Sequence, residues 1–302
     1  MKKLILLMVF VCALFGLEIP ENHIVSTQWL EKNLSNKNLI VIDTRKKSAF
    51  EKGHISKAIN LPKKQWFKGK LSQIPKLYNT PEQTQEIMNQ IGLDENSIVV
   101  FYSGGLDQVD FADGVSGLWT FWMYGFKNSV ILDGGYAKWQ YENKKTSKEN
   151  FTAESKDIEI DTFDKSSLAS TNDILEAIYN DDIQISDARV AKFYRGEDDR
   201  KDLAKHGRIP TAKLTPMIRH LKKENNYFVF NSKEESTKIL YNSGFGVELD
   251  LPLIVYCNTG HKARGLWFVS KFLVGMDDVK VYEGSMVEYT RTNLAIESGE
   301  AF

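Results

Sequence analysis

The chain repeats one set of short motifs in the same order in its two halves, and this duplication limits the folds that are open to it. The first matched pair shares a Ser-Thr helix start, a helical pattern and an apolar run that ends in Asp-x-Arg. Both halves are therefore expected to fold alike. The matched segments are 25–45 with 169–189, 50–62 with 206–216, 97–105 with 252–260, 117–119 with 265–267, and 131–139 with 281–289.

Each half alternates short apolar runs with amphipathic segments. This alternation is typical of parallel βαβ units, in which helices connect the strands. We predict an α/β fold with two tandem domains, each a small parallel sheet with helices on both faces. The predicted domains are 22–142 and 163–302, joined by a polar linker at 143–162.

The N-terminus has a different character from the rest of the chain. Two lysines precede an uninterrupted apolar stretch from Leu4 to Leu17, which is the layout of a secretory signal peptide. The stretch is shorter than the roughly 20 apolar residues of a membrane-spanning helix. We predict that residues 1–18 are a signal peptide, that the protein is exported to the periplasm, and that no stable membrane insertion remains after cleavage. An uncleaved anchor and a buried first helix are the alternatives.

The two cysteines are Cys12, inside the predicted signal peptide, and Cys257. The mature chain could then form no internal disulfide, so Cys257 is buried, partnered in trans or chemically active. It ends an apolar run and is followed by a glycine-containing loop and a helical pattern. In α/β sheets ligands bind at the carboxyl ends of strands, and a loop of inward N–H groups before a helix stabilises a thiolate. A packed core cysteine is the alternative.

Composition argues against several other classes of partner. The chain has 39 Lys and Arg against 40 Asp and Glu, a net charge of −1, so we do not expect nucleic acid as a partner. No metal and no other cofactor is predicted, because the four histidines outside the cysteine loop show no metal-ligand spacing. These histidines are His23, His54, His206 and His220.

The chain resembles the two-domain rhodanese sulfurtransferases in four features. These are the tandem duplication, the two Asp-x-Arg strand ends, the Gly-x-Ile-x-x-Ala segments and the Cys-x-x-Gly loop before a helix. The resemblance implies a catalytic C-terminal domain that works through a cysteine persulfide and an N-terminal domain without the cysteine. Cys257 in the second half and Ser103 at the matching position of the first half agree with this division. The implied reaction moves a sulfane sulfur from thiosulfate to a thiophilic acceptor such as cyanide or a thiol.

The resemblance and the loop sequence together predict the site residues. Cys257 is the predicted nucleophile, and Lys262 is the predicted nearby cation. Arg189 either contacts the substrate or is structural and pairs with a carboxylate such as Glu283. The predicted substrate-binding residues are Arg189, Asn258, Thr259, Gly260, His261 and Lys262.

The donor remains open between two molecules. The loop sequence CNTGHKA has neither the two basic residues after the cysteine that accompany thiosulfate use in the family nor the Gly-Ser-Gly that accompanies mercaptopyruvate use. Export favours thiosulfate, because a thiol keto acid is chiefly an intracellular metabolite. The expected partners are a small-molecule sulfur donor and a thiophilic acceptor, which could be a thiol protein.

Three other functions are weighed against this one. They are a 3-mercaptopyruvate sulfurtransferase, a non-catalytic exported sulfur-carrier or binding protein, and a cysteine phosphatase. Phosphatases of this loop type use Cys-x5-Arg, whereas here Ala263 takes the arginine position and Arg264 follows it. One residue is about 100° of helical rotation, so Arg264 is predicted to point away from the loop.

Overall fold

A computed structural model of the chain describes residues 17–71, 74–245 and 250–300. Most of the predicted signal peptide, residues 1–16 of 1–18, lies outside the described residues. Among the described residues, no helix is both long enough and apolar enough to cross a membrane.

The first half contains nine strands and five α-helices among the described residues, with a short 3₁₀ turn at Lys63–Gln65. Its strands are β1 (Ile24–Val25), β2 (Leu39–Asp43), β3 (His54–Ile55), β4 (Ile59–Asn60), β5 (Gly69–Leu71), β6 (Ile74–Leu77), β7 (Ile98–Tyr102), β8 (Ser129–Leu132) and β9 (Thr146–Ser147). Its helices are α1 (Thr27–Asn33), α2 (Lys47–Phe50), α3 (Pro81–Gln90), α4 (Gln108–Met123) and α5 (Gly135–Tyr141).

The second half repeats the larger elements in the same order, with short 3₁₀ turns at Lys165–Ser167 and Met217–His220. Its strands are β10 (Leu168–Ala169), β11 (Gln184–Asp187), β12 (Lys213–Leu214), β13 (Leu221–Glu224), β14 (Tyr227–Phe230), β15 (Leu253–Tyr256) and β16 (Val279–Tyr282). Its helices are α6 (Thr171–Tyr179), α7 (Ala191–Tyr194), α8 (Lys233–Leu240), α9 (His261–Phe268) and α10 (Ser285–Tyr289), and α8 and α9 each continue into a π-helical segment, Tyr241–Phe245 and Val269–Val274.

Each half builds one five-stranded sheet whose pairings are all parallel. The strand order is β1-β8-β7-β2-β4 in the first half and β10-β16-β15-β11-β12 in the second. Equivalent strands therefore hold equivalent places, and the predicted α/β fold of two tandem domains is confirmed. The predicted helix starts are confirmed as well, since Ser26 and Ser170 cap α1 and α6.

Both faces of each sheet are covered by helices. Along β15, Ile254 and Tyr256 belong to a hydrophobic cluster with residues of α6 and α10, whereas Leu253 and Val255 belong to another with residues of α9. Because side chains alternate along a strand, Cys257 falls on the α9 side. This side is also where the other half of the molecule packs.

A buried Asp–Arg–Tyr arrangement ties the central strands together in both halves. In the second half, the Tyr256 hydroxyl donates to Asp187 at 2.8 Å and accepts from the Ile209 N–H at 3.2 Å. The Arg189 side chain folds back onto the same carboxylate. The first half forms the same arrangement with Asp43, Arg45, Ile55 and Tyr102. The Asp-x-Arg motif is therefore part of the fold of each repeat.

The two halves pack against each other through α4 and α9. One hydrophobic cluster continues from Phe111 and Trp119 of the first half to Phe230 and Phe268 of the second. The rings of Phe111 and Phe230 meet edge to face at 4.3 Å between centroids. This shared core makes the interface between the halves continuous with their interiors.

The predicted linker, 143–162, contains one strand and otherwise no regular secondary structure. Strand β9 pairs with β3 of the first half. Beyond it, the N–H groups of Ile158 and Ile160 donate to the side chains of Asn89 and Gln85 on α3. The segment therefore runs along the first half before it enters the second.

The buried His220 gives the protein a predictable sensitivity to acid. Among the described residues, neither ring nitrogen of His220 has a hydrogen-bond partner, and burial together with the charge of Arg219 lowers the pKa of His220 from 6.5 to about 3. The folded state thus holds a neutral ring, and protons bind the unfolded chain first. The stability linked to the neutral His220 ring is fully present above about pH 6.5 and is lost as the pH falls toward the pKa of His220 in the folded state.

We expect His220→Phe to flatten the pH dependence of the free energy of unfolding. Between about pH 6.5 and 4.5 the wild-type protein should lose roughly 2 kcal/mol more than the variant. Urea denaturation at several pH values measures this difference. Met217→Leu, at a buried side chain of the same 3₁₀ turn that does not titrate, is the control and should keep the wild-type slope. Identical slopes for the wild type and His220→Phe would contradict the prediction.

Candidate active site

The loop from Cys257 to Gly260 lies between the carboxyl end of β15 and the start of α9. Cys257 is 2 % exposed. The N–H of Thr259 points at its sulfur, with N and Sγ 3.4 Å apart. The loop therefore directs one backbone donor at the sulfur, which stabilises negative charge there.

Ser285 holds the base of this loop. Its hydroxyl oxygen accepts from the N–H groups of Cys257 at 3.1 Å and Gly260 at 3.0 Å, and the hydroxyl donates to the Tyr282 carbonyl at 2.8 Å. Of the inward N–H groups predicted for residues 258–262, that of Thr259 is directed at the sulfur, whereas that of Gly260 is bound by Ser285. This residue was not predicted, although the matched repeats 131–139 and 281–289 place it opposite Gly135. The two residues share a positive φ, +49° at Ser285 and +55° at Gly135.

Gly260 is required by both conformation and space. Its φ is +76°, and a Cβ there would lie 2.4 Å from Glu283 Oε2 and 2.8 Å from the Glu283 carbonyl oxygen. A side chain at this position would therefore strain the backbone and push the loop away from Glu283.

We expect Gly260→Ala to lower sulfur transfer strongly by displacing the N–H of Thr259 from the sulfur. Stability should fall by about 1–3 kcal/mol because the new methyl group meets buried atoms. Steady-state turnover and thermal unfolding measure the two effects. Gly299→Ala is the control, since a Cβ there meets no atom within 4 Å although φ is +77°. Wild-type turnover by Gly260→Ala would show that the loop geometry is unimportant.

Arg189 is buried beneath the loop and is 1 % exposed. Its Nη2 donates to Asp187 at 2.6 Å and to the Gly207 carbonyl at 2.7 Å, and its Nη1 donates to Asn258 Oδ1 at 3.1 Å. Burial opposes the charge, but the Asp187 carboxylate outweighs it and raises the pKa of Arg189 above its usual value. Arg189 pairs with a carboxylate, as the structural alternative predicted, but the partner is Asp187 and the named example, Glu283, is wrong. Arg189 also orients Asn258.

Arg264 pairs with Glu283, the carboxylate that was suggested as a partner of Arg189. Its Nη1 donates to both oxygens of Glu283, at 2.6 and 2.5 Å, and its Nε donates to Ser116 of the first half at 2.9 Å. Its guanidinium forms no hydrogen bond to residues 257–260, all of which are described, as the helical rotation predicts. Arg264 therefore joins the two halves and does not close an anion cradle.

His261, the first residue of α9, faces the first half. Its Nε2 lies 2.8 Å from Asp113 Oδ1 on α4. Burial lowers the pKa of His261 to about 4, although Asp113 opposes this shift. The imidazole is therefore neutral near pH 7, and any role it has in binding depends on hydrogen bonding rather than on charge.

The structure brings a second cation to the site beside the predicted Lys262. The side chain of Lys262 is half-buried and forms no hydrogen bond or ion pair within the described residues. Lys63, from the 3₁₀ turn of the first half, lies with Nζ 3.9 Å from Asp113 Oδ1. Burial and the charge of Arg264 lower the pKa of Lys63 to about 8, and the charges of Asp113, Cys257 and Glu283 oppose this. Nothing in the sequence pattern signalled Lys63, because it comes from the other half.

This geometry defines a two-domain α/β protein with one cysteine-containing loop at the domain interface. A family model of the rhodanese-like domain matches residues 26–142 and 170–292. The chain belongs to the rhodanese family, and it is a sulfurtransferase of that family. The predicted resemblance is confirmed, with the domain present twice.

Known proteins of this family cover nearly the whole chain. A thiosulfate sulfurtransferase of Corynebacterium glutamicum is 26 % identical over 93 % of this chain and 92 % of its own. The sulfur carrier protein TtuD of Thermus thermophilus is 26 % identical over 88 % of this chain and 93 % of its own. SseA of Escherichia coli, a 3-mercaptopyruvate sulfurtransferase, superposes with a TM-score of 0.73 at 22 % identity and covers 87 % of this chain and 98 % of its own.

Proposed function

We propose that the protein is a thiosulfate sulfurtransferase that carries sulfur as a persulfide on Cys257. The observation that carries this proposal is the Thr259 N–H directed at the Cys257 sulfur at the carboxyl end of β15. The C. glutamicum relative supports thiosulfate as the donor. The predicted export supports it too, and we propose a periplasmic location on the basis of residues 1–18.

The reaction takes place in two displacements at Cys257. The thiolate attacks the outer sulfur of thiosulfate, a sulfur–sulfur bond forms, and sulfite leaves with the electron pair of the bond that breaks. An acceptor such as cyanide then attacks the outer sulfur of the persulfide, giving thiocyanate and the free thiolate. Charge and electrons balance in both steps without a redox partner.

The loop residues have separate roles in this reaction. The N–H of Thr259 stabilises the anionic sulfur before attack and after transfer. Arg189 holds Asn258 beside the cysteine. Gly260 and Ser285 keep the loop in the conformation that directs Thr259 at the sulfur. His261 and Lys262 remain candidates for contact with the substrate.

Intact mass spectrometry tests the proposal directly. Incubation with thiosulfate should add one sulfur atom to the mature protein, and cyanide should remove it as thiocyanate. Prior alkylation of Cys257 is the control and should prevent loading. Loading by mercaptopyruvate but not by thiosulfate would show that mercaptopyruvate is the donor and that thiosulfate is not. A protein that accepts sulfur from neither donor would be a sulfur carrier loaded by another protein.

A further inference from the structure

We infer that Lys63, contributed by the catalytically silent half, is the residue that binds the anionic end of the sulfur donor. This inference rests on the proposed function and deepens it by naming the charge that recognises the donor. It also assigns the first half a direct part in the reaction.

The position of Lys63 carries the inference. Its side chain is 31 % exposed, so it reaches both the buried interface and solvent. Its Nζ lies 3.9 Å from Asp113 Oδ1, and the same oxygen lies 2.8 Å from Nε2 of His261, the fourth residue after the cysteine. Lys63 therefore stands at the edge of the cysteine loop, on the side where the two halves meet.

The surroundings of Lys63 leave its charge available to a ligand. At 3.9 Å the contact with Asp113 is too long for a direct hydrogen bond, and Asp113 lies closer to His261. The two arginines of the site are bound within the protein, because Arg189 pairs with Asp187 and Arg264 with Glu283. Of the lysines, Lys262 lies on α9 of the cysteine half, and it is the competing candidate. The titratable and charged groups that face Lys63 are Asp113, Cys257, His261, Arg264 and Glu283.

A donor anion is the kind of group that completes this arrangement. Thiosulfate carries two negative charges, and a dianion that approaches Cys257 brings its sulfonate oxygens to a loop with one inward N–H directed at the sulfur. An ammonium group on the facing half supplies a second, charged donor. Charge-assisted hydrogen bonds of this kind are about twice as strong as neutral ones.

Three lysine variants distinguish the candidate cations. Lys63→Met should raise the thiosulfate concentration that half-saturates persulfide formation by about tenfold to a hundredfold. This is the effect of losing one charge-assisted contact. Lys64→Met, at the adjacent exposed lysine, is the matched control and should match the wild type. Lys262→Met tests the competing candidate. A loss that follows Lys262 and spares Lys63 would overturn the inference.

The pH profile separates donor binding from a structural role. The pKa of Lys63 is about 8, so thiosulfate affinity of the wild type should fall as pH rises through that value. Lys63→Arg keeps its charge at high pH and should abolish this fall, whereas a structural lysine would leave the profile unchanged. If the wild type forms no persulfide, the proposed function fails; normal loading by Lys63→Met with an unchanged pH profile overturns only the role of Lys63.

Discussion

Cys257→Ser is expected to accept no sulfur from thiosulfate and to produce no thiocyanate, while its fold is unchanged. A serine hydroxyl is not ionised near neutral pH and cannot form a persulfide. The fold should tolerate the change, because Ser103 occupies the equivalent position after β7 in the first half and is 7 % exposed. Intact mass after incubation with thiosulfate and a thiocyanate assay measure the loss.

The duplicated chain supplies the matched control for this experiment. Ser103→Ala alters the equivalent position of the first half and should load sulfur like the wild type. Circular dichroism and thermal unfolding of Cys257→Ser should overlay those of the wild type. Residual turnover by Cys257→Ser would show that another group accepts the sulfur, and the persulfide mechanism would then be wrong.

Glu283→Gln is expected to lower the free energy of unfolding by about 3 kcal/mol or more. The substitution leaves the guanidinium of Arg264, which is 1 % exposed, without a counter-charge in the domain interface. Breaking a buried ion pair from one side costs about 3–5 kcal/mol, because the remaining charge stays desolvated. Arg264 also lies 4.0 Å from the Phe67 ring centroid, so its displacement would disturb the contact between the halves.

An exposed ion pair provides the comparison. Lys222 and Glu224 lie 3.1 Å apart and are 51 % and 39 % exposed. Glu224→Gln should change the free energy of unfolding far less than Glu283→Gln does, because solvent screens the exposed pair. Urea denaturation of both variants measures the difference. Equally small losses of unfolding free energy in both variants would mean that the charge of Glu283 does not stabilise the buried Arg264, which would contradict the prediction.

The sequence predicted the parts of the fold that repeat. Two copies of each motif had to satisfy one architecture, so the parallel sheets and the position of Cys257 at a strand end followed from the pattern. The loop residues could be predicted because they follow the cysteine directly in the chain. Ser285 lies 28 residues further on and was missed, although its place opposite Gly135 marked it.

The contacts between the halves could not be predicted in this way. A repeat pattern describes each unit and contains no information on how two units pack. The pairing of Arg264 with Ser116 and the approach of Lys63 and Asp113 to His261 all depend on that packing. The mistaken partner of Arg189 has a different origin, because both arginines and both carboxylates lie in the second half. Asp187 and Glu283 each lie at the end of a strand, and only the three-dimensional structure shows that Asp187 pairs with Arg189 and Glu283 with Arg264.

The Asp–Arg–Tyr arrangement makes the protein an internal control for its own chemistry. It is present around Asp43 in the half with serine and around Asp187 in the half with cysteine. Features common to both halves belong to the fold of the repeat, whereas the Thr259 N–H on sulfur and the Ser285 anchor distinguish the half with cysteine. Comparing the halves of a single chain thus separates architecture from reactivity without any second protein.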